Sequence, residues 1–342
     1  MFRIYSSVLL NNPIFQFGYF IKKTKYKKLM VDIKFFNTNY RHTTRDIIVD
    51  MFLSSLKLGS SFHEYFYYNF ISKNKSERKT YATTGKMYEY QMKMNPPRHR
   101  YLIEDKLVFL KRYKDFTGRN WLDLKVAGED EVIEFITGKT KVVLKNSKGQ
   151  AGQSIKIVYL QNTSPASILA NSKKNKLDLM EEFVVQHDDL MALAPESLNT
   201  IRIITQINNR GGAEIIGTIL RLGCGRETDN LSTDGIACPI DFLTGRVNGS
   251  GISFDITKPD YKTHPVTGKN LHGFQIPYWN ESVDLARKAA LLYPQNRSVG
   301  WDVAVTNNGP LLIEGNHNWG ARLWQMPVKR GLKHMLEPYL HD

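Results

Sequence analysis

Residues 301–320 read WDVAVTNNGPLLIEGNHNWG, and within this apolar segment Asp302, Glu314 and Asn316 are the side chains equipped for chemistry. Asn307, Asn308 and Gly309 suit a three-residue hairpin loop, with the glycine free to take the left-handed position. Such a loop sets Val303 opposite Ile313, Val305 opposite Leu311 and Trp301 opposite Gly315 on an apolar face. The other face then carries Asp302 directly opposite Glu314, with Asn316 two residues further along the same side. Like charges so placed are destabilising, because their Cβ atoms lie only about 5 Å apart, and a cation between them removes the penalty. Two carboxylates and an amide oxygen are hard ligands that favour Mg²⁺ shared with phosphate oxygens over zinc. An Arg or Lys that neutralises the pair, or a one-residue slip that separates it, is the structural alternative.

Two other patterns supply positive charge. KTKVVLK at 139–145 and SIKIVYL at 154–160 read as strands around the loop NSKGQAGQ, with Lys145 at the end of the first strand and Gly149 and Gly152 in the turn. Glycines let backbone N–H groups approach phosphate, and the lysine adds charge. Neither GxxxxGK[ST] nor GxGxxG occurs, so this loop by itself also fits a plain hairpin. Arg202 in TIRIIT and Arg221 in TILRLG sit between aliphatic residues in strand-like runs. Arginines there need anionic partners, either carboxylates or phosphates, and beside a predicted Mg²⁺ site phosphate is favoured.

The elements that must position these groups follow an α+β order. SPASILANSKK at 164–174 is a helix with Ser164 as its N-cap, DLMEEFVV at 178–185 a strand, and NTIRIIT with EIIGTILRLG a hairpin turned by NNRGG. Before residue 100 the pattern is mostly helical, as in DIIVDMFLSSLKL at 46–58, and Pro96–Pro97 marks a boundary. The expected division is a basic, aromatic-rich helical region at 1–98, then subdomains at 99–184 and 185–342.

Charge divides the same way: residues 1–100 hold 18 Lys and Arg against 6 Asp and Glu, and the rest of the 342-residue chain 29 against 27. Basic residues mixed with aromatics, as in SSFHEYFYYNF at 60–70, suit first a helical domain whose aromatics are core and whose lysines are solvated, second an anionic membrane surface and last nucleic acid. The start of the chain is too interrupted for a spanning helix or a secretory signal. Cys224 and Cys238 form no metal or disulfide pattern, which fits a reducing, cytoplasmic setting.

Taken in order, EDKLVFLKRY, VVLKNSKGQAGQS, EEFVVQH, ESLNTIRIIT, LRLG with DNLSTDGIA, HPVTG with GFQIPYW, and GWDVAVTNNGPLLIEGNHNWG resemble the sugar-transfer-associated branch of the ATP-grasp superfamily over about residues 100–328. The resemblance implies two α+β subdomains that clasp ATP beneath a glycine-rich hairpin. It implies Lys145 and Lys106 as nucleotide-contacting lysines and Gly149 and Gly152 as the phosphate-covering loop. Glu182 and Val184 would read adenine through their backbone, and Asp188 would meet the ribose, with His187 or Asp189 as alternatives. Arg202 and Arg221 would stabilise the transferred phosphate, Asp302, Glu314 and Asn316 would hold Mg²⁺, and Asn230 would face the same centre. One departure is Asp234, which stands where the resemblance implies a glycine.

The expected function is therefore an ATP- and Mg²⁺-dependent ligase that activates a carboxylate as an acyl phosphate and joins it to an amine, in surface-polysaccharide synthesis. Peripheral membrane contact through residues 1–98 is the expected further partner. The alternatives are an ATP-grasp kinase, with His264 or His272 of the loop 261–279 as base, and an inactive relative that docks to membrane.

Overall fold

Asparagine and threonine caps start two of the early helices, each of which buries one stripe of its surface. The computed structural model describes residues 12–149, 155–225 and 234–340. Asn12 accepts a 2.9 Å hydrogen bond from the Ile14 N–H at the start of α1 (Pro13–Lys23), and Thr43 accepts one of 3.2 Å from Asp46 at the start of α3 (Thr44–Leu58). Between them lies α2 (Tyr26–Tyr40), and after them α4 (Phe62–Tyr67), α5 (Lys75–Lys79) and α6 (Thr84–Met94). Gly59, at φ +64°, ends α3 in the left-handed conformation glycine adopts without strain. Phe62, Tyr65, Phe66, Tyr68 and Phe70 are buried in one cluster with Phe20, Phe36 and Ile47. The aromatics of 60–70 are thus largely core, as expected of a helical domain that buries its aromatics and solvates its lysines.

Helix α6 packs elsewhere: its Tyr90 and Met94 join Ile204, Ile219, Trp319 and Trp324 in a second core. Just beyond it, Asn95 donates to the Ser298 carbonyl at 2.7 Å and the His317 carbonyl at 3.2 Å. Short helices α7 (Tyr101–Glu104), α8 (Lys106–Arg112) and α9 (Lys114–Thr117) follow.

The smaller sheet comprises β1 (Trp121–Asp123), β2 (Lys141–Lys145), β3 (Ile155–Tyr159) and β4 (Leu179–Glu182), antiparallel in the order β1-β4-β2-β3. Its inward residues Val142, Leu144 and Met180 pack against Val132 of α10 (Glu129–Ile136) and Ile168 of α11 (Pro165–Asn175). The Ser164 hydroxyl accepts from Ser167 N–H at 3.2 Å, the expected N-cap.

After α12 (Asp188–Leu193) comes the larger sheet, antiparallel in the order β10-β9-β5-β6-β7-β8. Its strands are β5 (Thr200–Ile207), β6 (Ala213–Leu222), β7 (Ile236–Pro239), β8 (Ile252–Ser253), β9 (Ser298–Thr306) and β10 (Gly309–Asn316). On one face Ile201, Ile203, Leu220, Trp301 and Val303 bury against Val283, Ala286 and Ala290 of α13 (Trp279–Leu292). On the other, α6 and α14 (Ala321–Gln325) cover one end of the sheet. This is the α+β architecture expected from the element order. Among the described residues no helix is long and apolar enough to cross a membrane.

The β9–β10 hairpin departs from the expected register near its turn. Its loop has two residues, Asn307 and Asn308, so Leu311 faces Ala304 and Leu312 faces Val303. A bulge between Leu312 and Glu314 then shifts the pairing by one, which restores Glu314 opposite Asp302 and Gly315 opposite Trp301. Val303 opposite Ile313 and Val305 opposite Leu311 are therefore corrected, while the acidic pair stands.

Candidate functional site

Strand register gathers the charged groups on one face of the larger sheet. Asp302 of β9 faces Glu314 of β10 on one side and Arg202 of β5 on the other. The Arg202 guanidinium forks onto Asp302, with Nη2 donating to Oδ2 at 2.9 Å and Nε to Oδ1. Arg221 of β6 donates from Nη1 to the same Oδ2 at 2.7 Å, and Arg202 Nη1 also binds the Trp319 carbonyl at 2.9 Å. Gly300 makes this approach possible, because a Cβ there would meet Trp319 Cβ at 2.4 Å and Arg202 Cδ at 2.9 Å. Thus both arginines find a carboxylate partner, the structural alternative to phosphate for each.

The pKa values of the two carboxylates are shifted in opposite directions. Burial tends to raise the Asp302 pKa, but the two guanidiniums outweigh it and hold the acid far below the usual carboxylate range. Glu314 is pushed up, first by burial and then by Asp302, against the opposing pull of Lys106, Arg202 and Arg221. Asn316 lies over both, its amide 3.3 Å from Glu314 Oε1 and 3.5 Å from Asp302 Oδ2. Rotating that amide turns its oxygen toward the same point, and N and O assignments of this kind follow from the local network. Among the described residues no three His, Cys, Asp or Glu side chains converge on a metal site. The donor set is two carboxylates and one amide, and Glu314, unfavourably charged beside Asp302, is the group a divalent cation would relieve.

The smaller sheet forms the opposing wall. Lys145, at the end of β2, pairs with Glu181, which also binds Arg119 Nη2 at 3.0 Å. Burial raises the Glu181 pKa, but Arg119 and Lys145 together bring it down to about 2. Lys106, at the start of α8, donates from Nζ to the Gly149 carbonyl and from its backbone N–H to the Ser147 carbonyl at 3.1 Å. Its pKa is lowered by burial and by Lys145, against the pull of Glu314 and Glu181. The two walls therefore bring Lys106, Lys145, Glu181 and Glu314 within electrostatic reach of one another.

Sequence reasoning missed the groups that hold this wall in place. Arg119 Nη1 donates to the Leu312 carbonyl at 2.6 Å and Nη2 to the Ile313 carbonyl at 3.1 Å, across to the β10 bulge. Asp178 accepts from Ser147 N–H at 2.6 Å and Ser147 Oγ at 2.7 Å, and so fixes the base of the glycine-rich loop. Arg119 stands in a turn, TGRNW, whose composition reads as solvated. Glu181 and Glu182 are adjacent, and only strand pairing reveals which is buried.

Glu182 ends β4, with its N–H on the Asn120 carbonyl at 3.0 Å and its carboxylate on Asn120 at 2.9 and 3.0 Å. Val184 follows in irregular backbone. His187 N–H reaches the Val305 carbonyl at 2.7 Å and Asp188 N–H the Asn307 side chain at 3.1 Å, so this linker joins the β9–β10 turn, with Asp188 and Asp189 exposed. Asn230 and Gly152 lie outside the described residues. Asp234 adopts φ +74°, the conformation the expected glycine would take, with its carboxylate on Lys258 at 2.9 Å. His264 is buried, with Nε2 2.9 Å from the Gly223 carbonyl and Nδ1 3.3 Å from Thr267 N, and His272 is exposed. His264 therefore serves the fold of its loop rather than an open pocket.

A family model for sugar-transfer associated ATP-grasp proteins matches residues 86–339. Among solved structures the chain is similar to the ATP-grasp ligase PsnB complexed with a phosphomimetic variant of its minimal precursor, Mg and ADP, at 14% identity and TM-score 0.40 over 77% of this chain and 66% of that one. It is also similar to biotin carboxylase from Campylobacter jejuni in a β,γ-ATP complex, at 12% identity and TM-score 0.42 over 68% and 47%. A third is N5-carboxyaminoimidazole ribonucleotide synthetase from Thermotoga maritima, at 15% identity and TM-score 0.35 over 63% and 42%. The chain spans 66% or less of the length of each. No curated protein matches it.

Proposed function

We propose the function from one premise: the chain belongs to the sugar-transfer-associated ATP-grasp family, whose model covers residues 86–339. On that premise it is an ATP- and Mg²⁺-dependent ligase. It activates a carboxylate as an acyl phosphate and joins it to an amine or another nucleophile, in the assembly of a surface polysaccharide. The observation that carries this reading is the acidic pair Asp302–Glu314, with Arg202 in register with Asp302 and Arg221 hydrogen-bonded to the same carboxylate.

Mg²⁺, held by Asp302, Glu314 and Asn316, would supply charge neutralisation between phosphate oxygens. Lys145 and Lys106 would bind the phosphates of ATP, and Gly149 and Gly152 would bring backbone N–H groups over them. Glu182 and Val184 would present backbone to adenine, and Asp188 a carboxylate to the ribose. An oxygen of the substrate carboxylate forms a bond to the γ-phosphorus, the bond from that phosphorus to the β–γ bridging oxygen breaks, and ADP leaves. The amine nitrogen then attacks the acyl carbon, loses a proton and expels phosphate. Arg202, Arg221 and Asn230 would stabilise charge on the transferred group. None of these steps needs a side-chain nucleophile; they need position and fixed charge. The protein would work on the cytoplasmic side and touch the inner face of the membrane through residues 1–98.

The test is incubation with Mg²⁺, ATP, a pool of uronic acids and amino acids, and hydroxylamine, with Asp302→Asn as control. Hydroxamate formed in step with ADP and phosphate, and lost in the variant, is the expected result. ADP with a phosphorylated sugar and no hydroxamate would instead establish a kinase.

A further inference from the structure

Helix α3 carries two stripes. Ile47, Met51, Ser54 and Leu58 face the core, whereas Val49, Phe52, Leu53 and Leu56, at i, i+3, i+4 and i+7, are 50, 37, 43 and 39% exposed. A surface helix normally carries polar residues on that second stripe. Helix α1 lies against it, joined through the edge-on contact of Phe17 with Phe52, and adds Ile14 at 74%, Phe15 at 50% and Ile21 at 42% exposure. Exposed apolar side chains grouped on two packed helices mark an interaction site.

The charge around it is one-sided. Residues 12–58 contain nine Lys and Arg and three Asp. Each Asp is engaged: Asp32 is buried with Lys28 and His63, Asp50 pairs with Arg78, and Asp46 binds the Thr43 hydroxyl at 2.7 Å. Lys22, Lys23, Lys25, Lys27, Arg45 and Lys57 are exposed beside the apolar stripes.

We propose that the exposed face of α1 and α3 is a docking surface for an anionic lipid bilayer, with Ile14, Phe15, Leu53 and Leu56 entering the interface and the lysines meeting lipid phosphates. Apolar side chains ringed by Lys and Arg suit in-plane binding at the boundary of headgroups and acyl chains. A second copy of the chain is disfavoured, because self-association would set like charges against each other. The proposal rests on the membrane contact and not on the ligase chemistry, so lipid binding is measured without nucleotide and either reading can fail alone.

The full chain is sedimented with phosphatidylcholine vesicles, with and without phosphatidylglycerol. The expected result is binding that needs phosphatidylglycerol and weakens with salt as the lysines are screened. It falls by about tenfold or more in Leu53→Glu/Leu56→Glu and separately in Lys22→Glu/Lys23→Glu. Unchanged circular dichroism and thermal unfolding would show that each variant is folded. Four outcomes would overturn the proposal: no vesicle binding, binding indifferent to the leucine variant, self-association that the leucine variant abolishes, or binding that emerges only when residues 1–11 are deleted.

Discussion

The two sheets that flank the site hold their charges by different means. In the larger sheet, Arg202, Asp302 and Glu314 sit on three neighbouring strands in direct register, so the ladder itself fixes their spacing. In the smaller sheet, Lys145 lies at a strand end and Lys106 at a helix start, held by Glu181 and by a loop carbonyl. Arg119 sutures one wall to the other, since its guanidinium binds Glu181 and the carbonyls of the β10 bulge together. The comparison teaches that like charges which must keep one spacing are best built into a rigid ladder. Cations at the ends of shorter, loop-tethered elements depend for their position on a few buried contacts.

The largest test separates the two carboxylates of the ladder. Asp302→Asn removes the carboxylate that Arg202 and Arg221 share and should cost about 3–5 kcal/mol of stability, together with roughly a thousandfold or more in turnover. Glu314→Gln should lose comparable activity at little or no cost in stability, because burial and Asp302 already oppose its charge. The pH dependence distinguishes them further. The raised Glu314 pKa means its favourable contribution is present below its unfolded pKa and lost as pH rises through the folded one, so Glu314→Gln should gain on wild type at higher pH. The depressed Asp302 pKa means the opposite, with stability present above its unfolded value and lost as pH falls through the folded one. Urea denaturation across pH measures both; equal stability losses in the two variants would break the comparison.

Breaking the suture should cost less. Arg119→Lys keeps the charge beside Glu181 but cannot reach two carbonyls and a carboxylate at once. It should destabilise the protein by about 1–3 kcal/mol, through buried carbonyls left unsatisfied. If the suture also sets the distance between walls, KM for Mg·ATP should rise severalfold with kcat changed less. A stability loss with an unchanged KM would show that Arg119 serves the fold alone.

The acidic ladder was legible because two one-residue shifts cancel, although either alone would have moved the pair apart. The two-residue loop and the bulge at Ile313 shift the register in opposite senses, and Asp302 still meets Glu314. Three consecutive apolar residues, Leu311, Leu312 and Ile313, are the trace of that bulge, since strict alternation cannot place all three on one face. The supporting groups were not legible. Arg119 and Asp178 act through backbone atoms distant in sequence, and no periodicity marks a side chain whose partner is a carbonyl or an N–H of another element. In the first hundred residues, composition located the basic charge, but only burial separates the core aromatics of 60–70 from the exposed stripe of α3.

The smallest test addresses the loop latch. Asp178 binds Ser147 through its N–H and hydroxyl and is paired with Lys125, while Ser147 in turn accepts from Lys106 N–H. Burial raises the Asp178 pKa, but Lys125 and Ser147 outweigh it and lower the pKa overall. Its stabilising effect is therefore present above its unfolded pKa, about 3.9, and fades as pH falls through the lower folded value. Asp178→Asn keeps the shape and one acceptor but loses the charge, and should cost about 1–2 kcal/mol at neutral pH. The difference from wild type should shrink toward low pH, where the native carboxylate is protonated as well. Nucleotide affinity should weaken about two- to fivefold, because the loop that positions Lys106 and Gly149 keeps its contacts but holds them less tightly. A variant whose stability deficit persists unchanged to low pH would show that shape, rather than charge, secures the loop, and the smaller wall would then rest on Arg119 and Glu181.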